Sequence, residues 1–396
     1  MFEAAELGRK LSKAEFEKIE PELHTALLAI QRDLLNTNIP VILIVSGVEG
    51  AGKGEVVNRL NKWLDTRGIG TTAFWDESDE ERERPSYWRF WRRLPPKGSI
   101  GIMFGSWYTR PIIDFVFNRI DEAEYEKQLQ RIRTFEHMLS EDGALIIKFW
   151  FHMSEKDQRK KLEKENKDHK FTPLLKKFSK RYKTFSSASE HAIRTTDQGV
   201  SPWHIVEAVD KRYRDITVGK ILHDALLVKI KKIEDNSAST ADSNIEIIPT
   251  IGNDLTVLNG VDTSKTITDN VYDKQIKKYQ KKLNELTWLA KKRGRSTIAM
   301  FEGWDAAGKG GAIRRLTSAI DARLYKTISV AAPTDEEKAQ HYLWRFWRHI
   351  PRSGYFTIYD RSWYGRVLVE RVEEFAQSHE WERAFQEINE FEEQLV

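Results

Sequence analysis

Phe301-Glu-Gly-Trp-Asp-Ala-Ala-Gly-Lys-Gly-Gly311 is the stretch on which the reading of the fold turns. It follows a short apolar run, Thr297-Ile-Ala-Met-Phe301, and opens into Ala312-Ile-Arg-Arg-Leu-Thr-Ser-Ala-Ile320, which reads as a helix. Strand, glycine-rich turn, lysine and helix are how a chain wraps a phosphate group. The turn's N–H groups point at the anion, the helix N-terminus adds partial positive charge, and the lysine adds a full one. The spacing from Gly303 to Gly308-Lys309 meets the first part of the phosphate-loop pattern, but Gly310 stands where a Ser or Thr normally reaches Mg²⁺. A metal held here needs another side chain, and Asp305, inside the loop, is the nearest candidate.

A second loop of this kind, Ser46-Gly-Val-Glu-Gly-Ala-Gly-Lys-Gly54, follows the apolar run Pro40-Val-Ile-Leu-Ile-Val45. Lys53 and Lys309 are 256 positions apart, and that offset persists without a gap. Trp88-Arg-Phe-Trp-Arg92 returns as Trp344-Arg-Phe-Trp-Arg348, Ser106-Trp-Tyr108 as Ser362-Trp-Tyr364, Asp79-Glu-Glu81 as Asp335-Glu-Glu337, and Phe135-Glu136 as Phe391-Glu392. So many rare residue types at one offset mark a tandem duplication. Apolar strands alternate with helical stretches, which predicts α/β domains, each a parallel sheet flanked by helices, with ligands at the carboxyl ends of the strands.

The expected organisation is a first phosphate-loop domain over 1–229, a linker over 230–269 and a second domain over 270–396. The polar run Asp235-Asn-Ser-Ala-Ser-Thr-Ala-Asp-Ser-Asn244 marks the linker, and Ile245–Ile248 with Leu255–Leu258 suggests a short hairpin within it. Val396 aligns with Ser140, so the second copy is expected to be truncated. It would lack the counterparts of the strand Ala144–Trp150 and of the basic helical segment Glu155 to Lys170.

The 396 residues suffice for two domains; 40% are hydrophobic and 31% charged, as in proteins with packed cores and solvated surfaces. There is no apolar run of membrane-spanning length and no signal-peptide pattern, and the absence of cysteine excludes disulfides and thiolate metal sites. These features fit a cytoplasmic protein with no membrane partner. The net charge of +4 does not by itself indicate nucleic acid, and no nucleic-acid fold signature accompanies the basic clusters.

Four stretches of the second copy are expected to carry chemistry. The loop offers backbone amides at Gly303, Ala306, Ala307, Gly308, Gly310 and Gly311, with Lys309 on a phosphate and Asp305 towards a metal. Asp360 ends the apolar run Tyr355–Tyr359, where nucleoside-triphosphate folds keep a metal-holding carboxylate; the alternative is a helix N-cap. Arg361 and Arg366 can neutralise a transferring phosphoryl group through forked hydrogen bonds. Trp344 and Trp347 fit core packing, whereas Arg345 and Arg348 are candidates for anion contact. Thr334 with Glu337 reads as a capping box. The lysine-rich stretch Lys274 to Arg293 reads as a solvated helix face, with electrostatic guidance of a polyanion as the alternative. In the first copy Glu49 replaces Asp305, Phe104 replaces Asp360 and Gly105 replaces Arg361, so that copy is expected to do no chemistry.

Glu302-Gly-Trp-Asp-Ala-Ala-Gly-Lys-Gly-Gly311, Pro333-Thr-Asp-Glu-Glu337, Tyr342-Leu-Trp-Arg-Phe-Trp347 and Asp360-Arg-Ser-Trp-Tyr-Gly-Arg366 resemble the type 2 polyphosphate kinases. The worn first copy and intact second resemble the two-domain members that act on AMP. The resemblance implies a thymidylate-kinase-like fold and phosphoryl transfer from inorganic polyphosphate to AMP, giving ADP. It also implies Mg²⁺ (or Mn²⁺) as cofactor and a homo-oligomeric assembly. By position, Asp305 and Asp360 become the metal and catalytic carboxylates, Lys309 the loop lysine and Arg361 a phosphate clamp. An ATP-dependent nucleotide kinase and a non-catalytic polyphosphate- or nucleotide-binding protein are the alternatives.

Overall fold

The computed structural model describes residues 1–167, 180–239 and 260–396. Helix α1 (Lys13–Leu35) begins at a capping box in which Ser12 and Glu15 satisfy each other's backbone N–H groups. Leu23, Leu27, Ile30 and Leu34, spaced at helical intervals, are its buried stripe. Strand β1 (Val41–Gly47) is almost wholly buried, as befits an apolar strand covered on both faces. There follow α2 (Lys53–Trp63), β2 (Ile69–Ala73), the single turns α3 (Asp79–Arg82) and α4 (Trp88–Trp91), β3 (Ile100–Phe104), α5 (Thr109–Val116) and α6 (Glu122–Glu141). Strand β4 (Leu145–His152), α7 (Glu155–Lys167), α8 (Tyr182–Thr196), β5 (Trp203–Glu207) and α9 (Lys211–Ser239) complete the first copy.

These strands form one parallel sheet in the order β2-β3-β1-β4-β5. The first loop leaves β1 at the carboxyl edge, between the ends of β3 and β4, which is where such sheets bind ligands.

The second copy contributes α10 (Asp269–Lys292), β6 (Thr297–Phe301), α11 (Lys309–Thr317), β7 (Tyr325–Ser329), α12 (Asp335–Lys338), α13 (Trp344–Trp347), β8 (Phe356–Asp360), α14 (Val369–Val372) and α15 (Ser378–Leu395). Its sheet is parallel, in the order β6-β8-β7, over a core of Ile313, Ile320, Leu324, Phe356 and Ile358. Both sheets are thus parallel with flanking helices, as expected; among the described residues the second has three strands and the first five.

The chain divides into two compact units that cut across the repeat. One comprises Met1–Lys231, Ala332–Arg348 and Gly365–Val396; the other comprises Lys232–Ala331 and His349–Tyr364. Within the first unit the two Trp-Arg-Phe-Trp turns pack on each other. Trp91 stacks on Trp347 with ring centroids 5.8 Å apart, and the Trp88 indole N–H donates to the Trp347 carbonyl at 2.9 Å. Large aromatic surfaces with an internally satisfied N–H make a dry core. Trp344 and Trp347 are therefore packing residues. The expected linker begins inside α9, which stays helical through Ser239, and α10 starts at Asp269. The suggested hairpin at 245–258 and the end of the basic segment at 168–170 lie outside the described residues.

Candidate active site

The phosphate loop of the second copy runs from the end of β6 into α11, with Gly308 left-handed (φ 87°) as the helix N-cap. The Lys309 ammonium donates to the carbonyls of Gly303 and Trp304, both at 2.8 Å, so the lysine lies along the loop. Parallel pairing of β6 with β8 sets Phe301 opposite Asp360, and the Arg361 N–H donates to the Phe301 carbonyl at 3.0 Å. Register alone therefore delivers Asp360 and Arg361 beside the residue from which the loop departs. The Arg361 guanidinium reaches Asp305 at 3.1 Å in a largely exposed pair. Exposed pairs of this kind are weak and readily exchanged for other partners. Asp305, Lys309, Asp360 and Arg361 belong to one compact unit.

Two loop residues occupy backbone conformations that favour glycine. Ala306 has φ 62° and Arg361 φ 66°, whereas their first-copy counterparts are Gly50 (φ 88°) and Gly105 (φ 78°). A side chain in the left-handed region costs about 1 kcal/mol or more, and strain of this kind collects at working sites. At Arg361 the cost goes with a charged group aimed back at the loop. Ala306→Gly should leave stability within about 1 kcal/mol, because the relieved strain offsets glycine's extra unfolded-state entropy. Ala306→Val, β-branched at positive φ, should lower the melting temperature of the same unit. Thermal denaturation of the two variants side by side checks this; equal melting points would remove the strain argument.

Glu302 was not singled out from the sequence. Its carboxylate accepts from the Ser362 N–H at 2.7 Å and the Ser362 hydroxyl at 2.8 Å, tying the start of the loop to the turn that carries Asp360 and Arg361. The first copy keeps the serine as Ser106 but has Ser46 in place of the glutamate, and this difference was the available signal. Glu302→Ala should cost about 1 kcal/mol by the usual worth of such bonds. It should also lower phosphoryl-transfer turnover, whereas Glu302→Gln, which keeps an acceptor, should do less harm. A variant pair with indistinguishable activity would exclude the tie.

Arg345, Arg348 and Arg366 meet carboxylates. Arg345 pairs with Glu337 at 3.3 Å and Arg348 with Glu336 at 3.0 Å; Arg366 pairs with Glu370 at 3.1 Å and lies over the Tyr342 ring. Two of these pairs recur in the first copy, Arg89 with Glu81 at 3.4 Å and Arg110 with Asp114 at 3.3 Å. A contact shared by both copies, only one of which keeps Asp360, gives the arginine a packing role besides contact with an anion. Thr334 and Glu337 form the expected capping box, so Glu337 serves the cap and Arg345 together.

The first loop is filled by its own domain. The Arg214 guanidinium occupies the space that a side chain at Gly52 would need, and it pairs with Glu55 at 2.9 Å. Gln158 donates to the Glu49 carbonyl at 2.9 Å, and the Glu49 carboxylate holds Lys53 at 2.7 Å. The loop lysine is thus neutralised where the second copy directs Asp305 to Arg361. A side chain at Gly308, the equivalent of Gly52, would meet nothing within 4 Å.

Among the described residues no three Asp, Glu or His side chains converge as a metal-ligand group. The carboxylates beside the loop are Asp305, facing Arg361, and Asp360, at the end of β8, and one or two carboxylates with substrate phosphates and water are the kind of donor set that holds Mg²⁺. Asp305 and Asp360 are the residues that would hold it.

A parallel sheet, a glycine-lysine loop capping a helix and an acid-arginine pair at the neighbouring strand end define a phosphate-loop phosphotransferase fold. The chain matches the family model described as polyphosphate kinase 2 over residues 10–234 and 266–396, and it belongs to that family. It is 46% identical over 400 positions to a polyphosphate:AMP phosphotransferase of Pseudomonas aeruginosa, covering 100% of this chain and 80% of the relative. A protein of the same name from Acinetobacter johnsonii is 32% identical, with 95% and 77% covered. A Pseudomonas aeruginosa crystal structure described as a polyphosphate kinase 2 superposes with a TM-score of 0.86 at 44% identity, covering 100% of this chain and 78% of that one.

Proposed function

We propose that this chain transfers the terminal phosphoryl group of inorganic polyphosphate to AMP, at the second loop, with Mg²⁺. The observation that carries the reading is the β6–β8 register, which sets Asp360 and Arg361 against a loop whose Asp305 faces the same guanidinium. An AMP phosphate oxygen attacks the terminal phosphorus, a new P–O bond forms, and the bridging oxygen leaves on a polyphosphate one unit shorter. The backbone amides from Ala306 to Gly311 and Lys309 hold the donor chain. Arg361 leaves Asp305 for the equatorial oxygens as charge spreads over them. Asp305 and Asp360 would hold the metal, which when bound would neutralise phosphate charge. Positioning and charge neutralisation supply most of the acceleration in phosphoryl transfer, so no covalent enzyme intermediate is needed. The first copy, with its loop filled by Arg214, takes no part in the chemistry.

The test is to supply AMP, polyphosphate and Mg²⁺ without ATP and to follow ADP. Formation of ADP is expected. ADP only when ATP is added would identify an ordinary nucleotide kinase, and tight polyphosphate binding without turnover would identify a binding protein.

A further inference from the structure

The lysine face of α10 has no role in the site described above. Its inward face carries Leu283 and Ala290 against the core, while Gln280 donates to the Arg315 carbonyl at 3.0 Å and Asn284 to the Ala319 carbonyl at 3.0 Å. The opposite face presents Lys274, Lys277, Lys278, Lys281 and Lys282, all exposed. At those positions α1, the equivalent helix of the first copy, has Lys18, Pro21, Glu22, Thr25 and Ala26. Over its length α10 carries seven lysines against three carboxylates, whereas α1 carries three cations against five. Solvation alone does not require this excess, since α1 presents its own outer face to solvent without it.

The lysines also stand in like-charge pairs at the i,i+4 spacing: Lys274 with Lys278, Lys277 with Lys281, and Lys278 with Lys282. Such pairs destabilise a helix. Two carboxylates share that spacing with the row, Asp273 before Lys277 and Glu285 after Lys281, so the five lysines outnumber the acids beside them. A surplus of lysines kept on one helix face despite this repulsion suits an external anion.

Arg315 connects the start of α10 to the phosphate loop. Its guanidinium hydrogen-bonds the Tyr272 hydroxyl at the start of α10, and one of its nitrogens lies 2.9 Å from where a side chain at Gly311 would begin. Lys309, the Gly311 backbone and Arg315 thus form a basic path from the loop to the first turn of α10, two residues before Lys274, where the lysine row begins.

We propose that the lysine face of α10 is an accessory binding surface for the distal part of an inorganic polyphosphate chain whose reacting end sits in the second loop. The proposal rests on polyphosphate being the donor. A short oligophosphate occupies the loop alone; a long chain continues past Arg315 onto α10, trading its counterions for lysines, so its binding depends on salt.

The test uses the full chain carrying Lys309→Ala, which weakens the loop, with and without Lys277→Gln, Lys278→Gln, Lys281→Gln and Lys282→Gln together. Equilibrium binding is measured for long-chain polyphosphate, tripolyphosphate and a single-stranded oligonucleotide across a salt series. The four glutamines should weaken long-chain polyphosphate about tenfold or more and flatten its log–log salt slope by roughly 3, at about 0.7 per charge lost from a single-stranded polyanion. Tripolyphosphate should be unaffected, and arginine at the same four positions should restore the long-chain affinity. Unchanged long-chain affinity, equal losses for both phosphates, or a loss confined to the oligonucleotide would each overturn the proposal. The readout is binding, so absence of ADP formation would count against the proposed activity while leaving this result standing.

Discussion

Asp360→Asn should lower ADP formation from polyphosphate and AMP by roughly two orders of magnitude or more, the scale on which single electrostatic groups at phosphoryl and acyl centres act. The substitution is isosteric, and the backbone of residue 360 is fixed by the sheet: it pairs with Phe301 and Ser329, and its carbonyl accepts from the Val330 N–H at 3.0 Å. The variant should therefore fold, losing only the charge. If Asp360 carries Mg²⁺, the amide variant should need more Mg²⁺ for half-maximal rate. Its kcat and kcat/KM should fall together, because the lost interaction is strongest as charge spreads in the transition state. Glu49→Gln, at the first-copy counterpart of Asp305, should change turnover little, since Glu49 only holds Lys53 inside a loop already filled by Arg214. Steady-state rates on both variants, with Mg²⁺ titrations, decide the matter. Comparable losses from the two would mean that both loops work, contrary to the division proposed here.

The duplication made much of this arrangement legible before any coordinates. An offset constant from the loops to the Phe-Glu pair places corresponding strands in corresponding registers, so the position of Asp360 beside the loop followed once β6 and β8 were recognised as parallel neighbours. Local rules also carried through: Thr334 and Glu337 cap α12 as their spacing implies. Contacts made by distant side chains were not legible. Arg345, Arg348 and Arg366 have the charge and spacing of anion ligands, but carboxylates from other turns meet them. Two of those pairs recur in the first copy, as Arg89 with Glu81 and Arg110 with Asp114, which no motif announces. Arg214, far along the chain, enters the first loop for reasons that no motif records. The compact units cross the repeat because buried tryptophans on equivalent turns stack on each other, and composition does not say which surface a tryptophan will meet.

That same distinction explains why the Ser-Trp-Tyr and Phe-Glu motifs persist in a copy without its strand-end acid, and it yields the largest stability effect expected in the molecule. Glu136 and Lys148 are both fully buried and lie 2.6 Å apart. Glu136 also accepts from the Trp107 indole at 2.9 Å, the Tyr108 hydroxyl at 2.7 Å and the Ser201 hydroxyl at 3.0 Å. Lys148 donates further to the Thr196 carbonyl at 2.8 Å and the Tyr108 hydroxyl at 3.1 Å. Burial pulls the lysine below its ordinary pKa, opposed by the carboxylate beside it, and it pushes the Tyr108 phenol well up. Removing one ion strands the other: Lys148→Met should cost about 3–5 kcal/mol, because an uncompensated carboxylate remains in the core. The double variant Lys148→Met, Glu136→Leu should recover much of that loss, since an apolar pair needs no solvation. A chain of two compact units need not unfold in one step. The measurement should therefore be hydrogen exchange at the β4 amides, Ile146 to Phe149, whose opening reports this core directly. A double variant no more protected than Lys148→Met would show that the network's hydrogen bonds, rather than its stranded charge, hold the first sheet together.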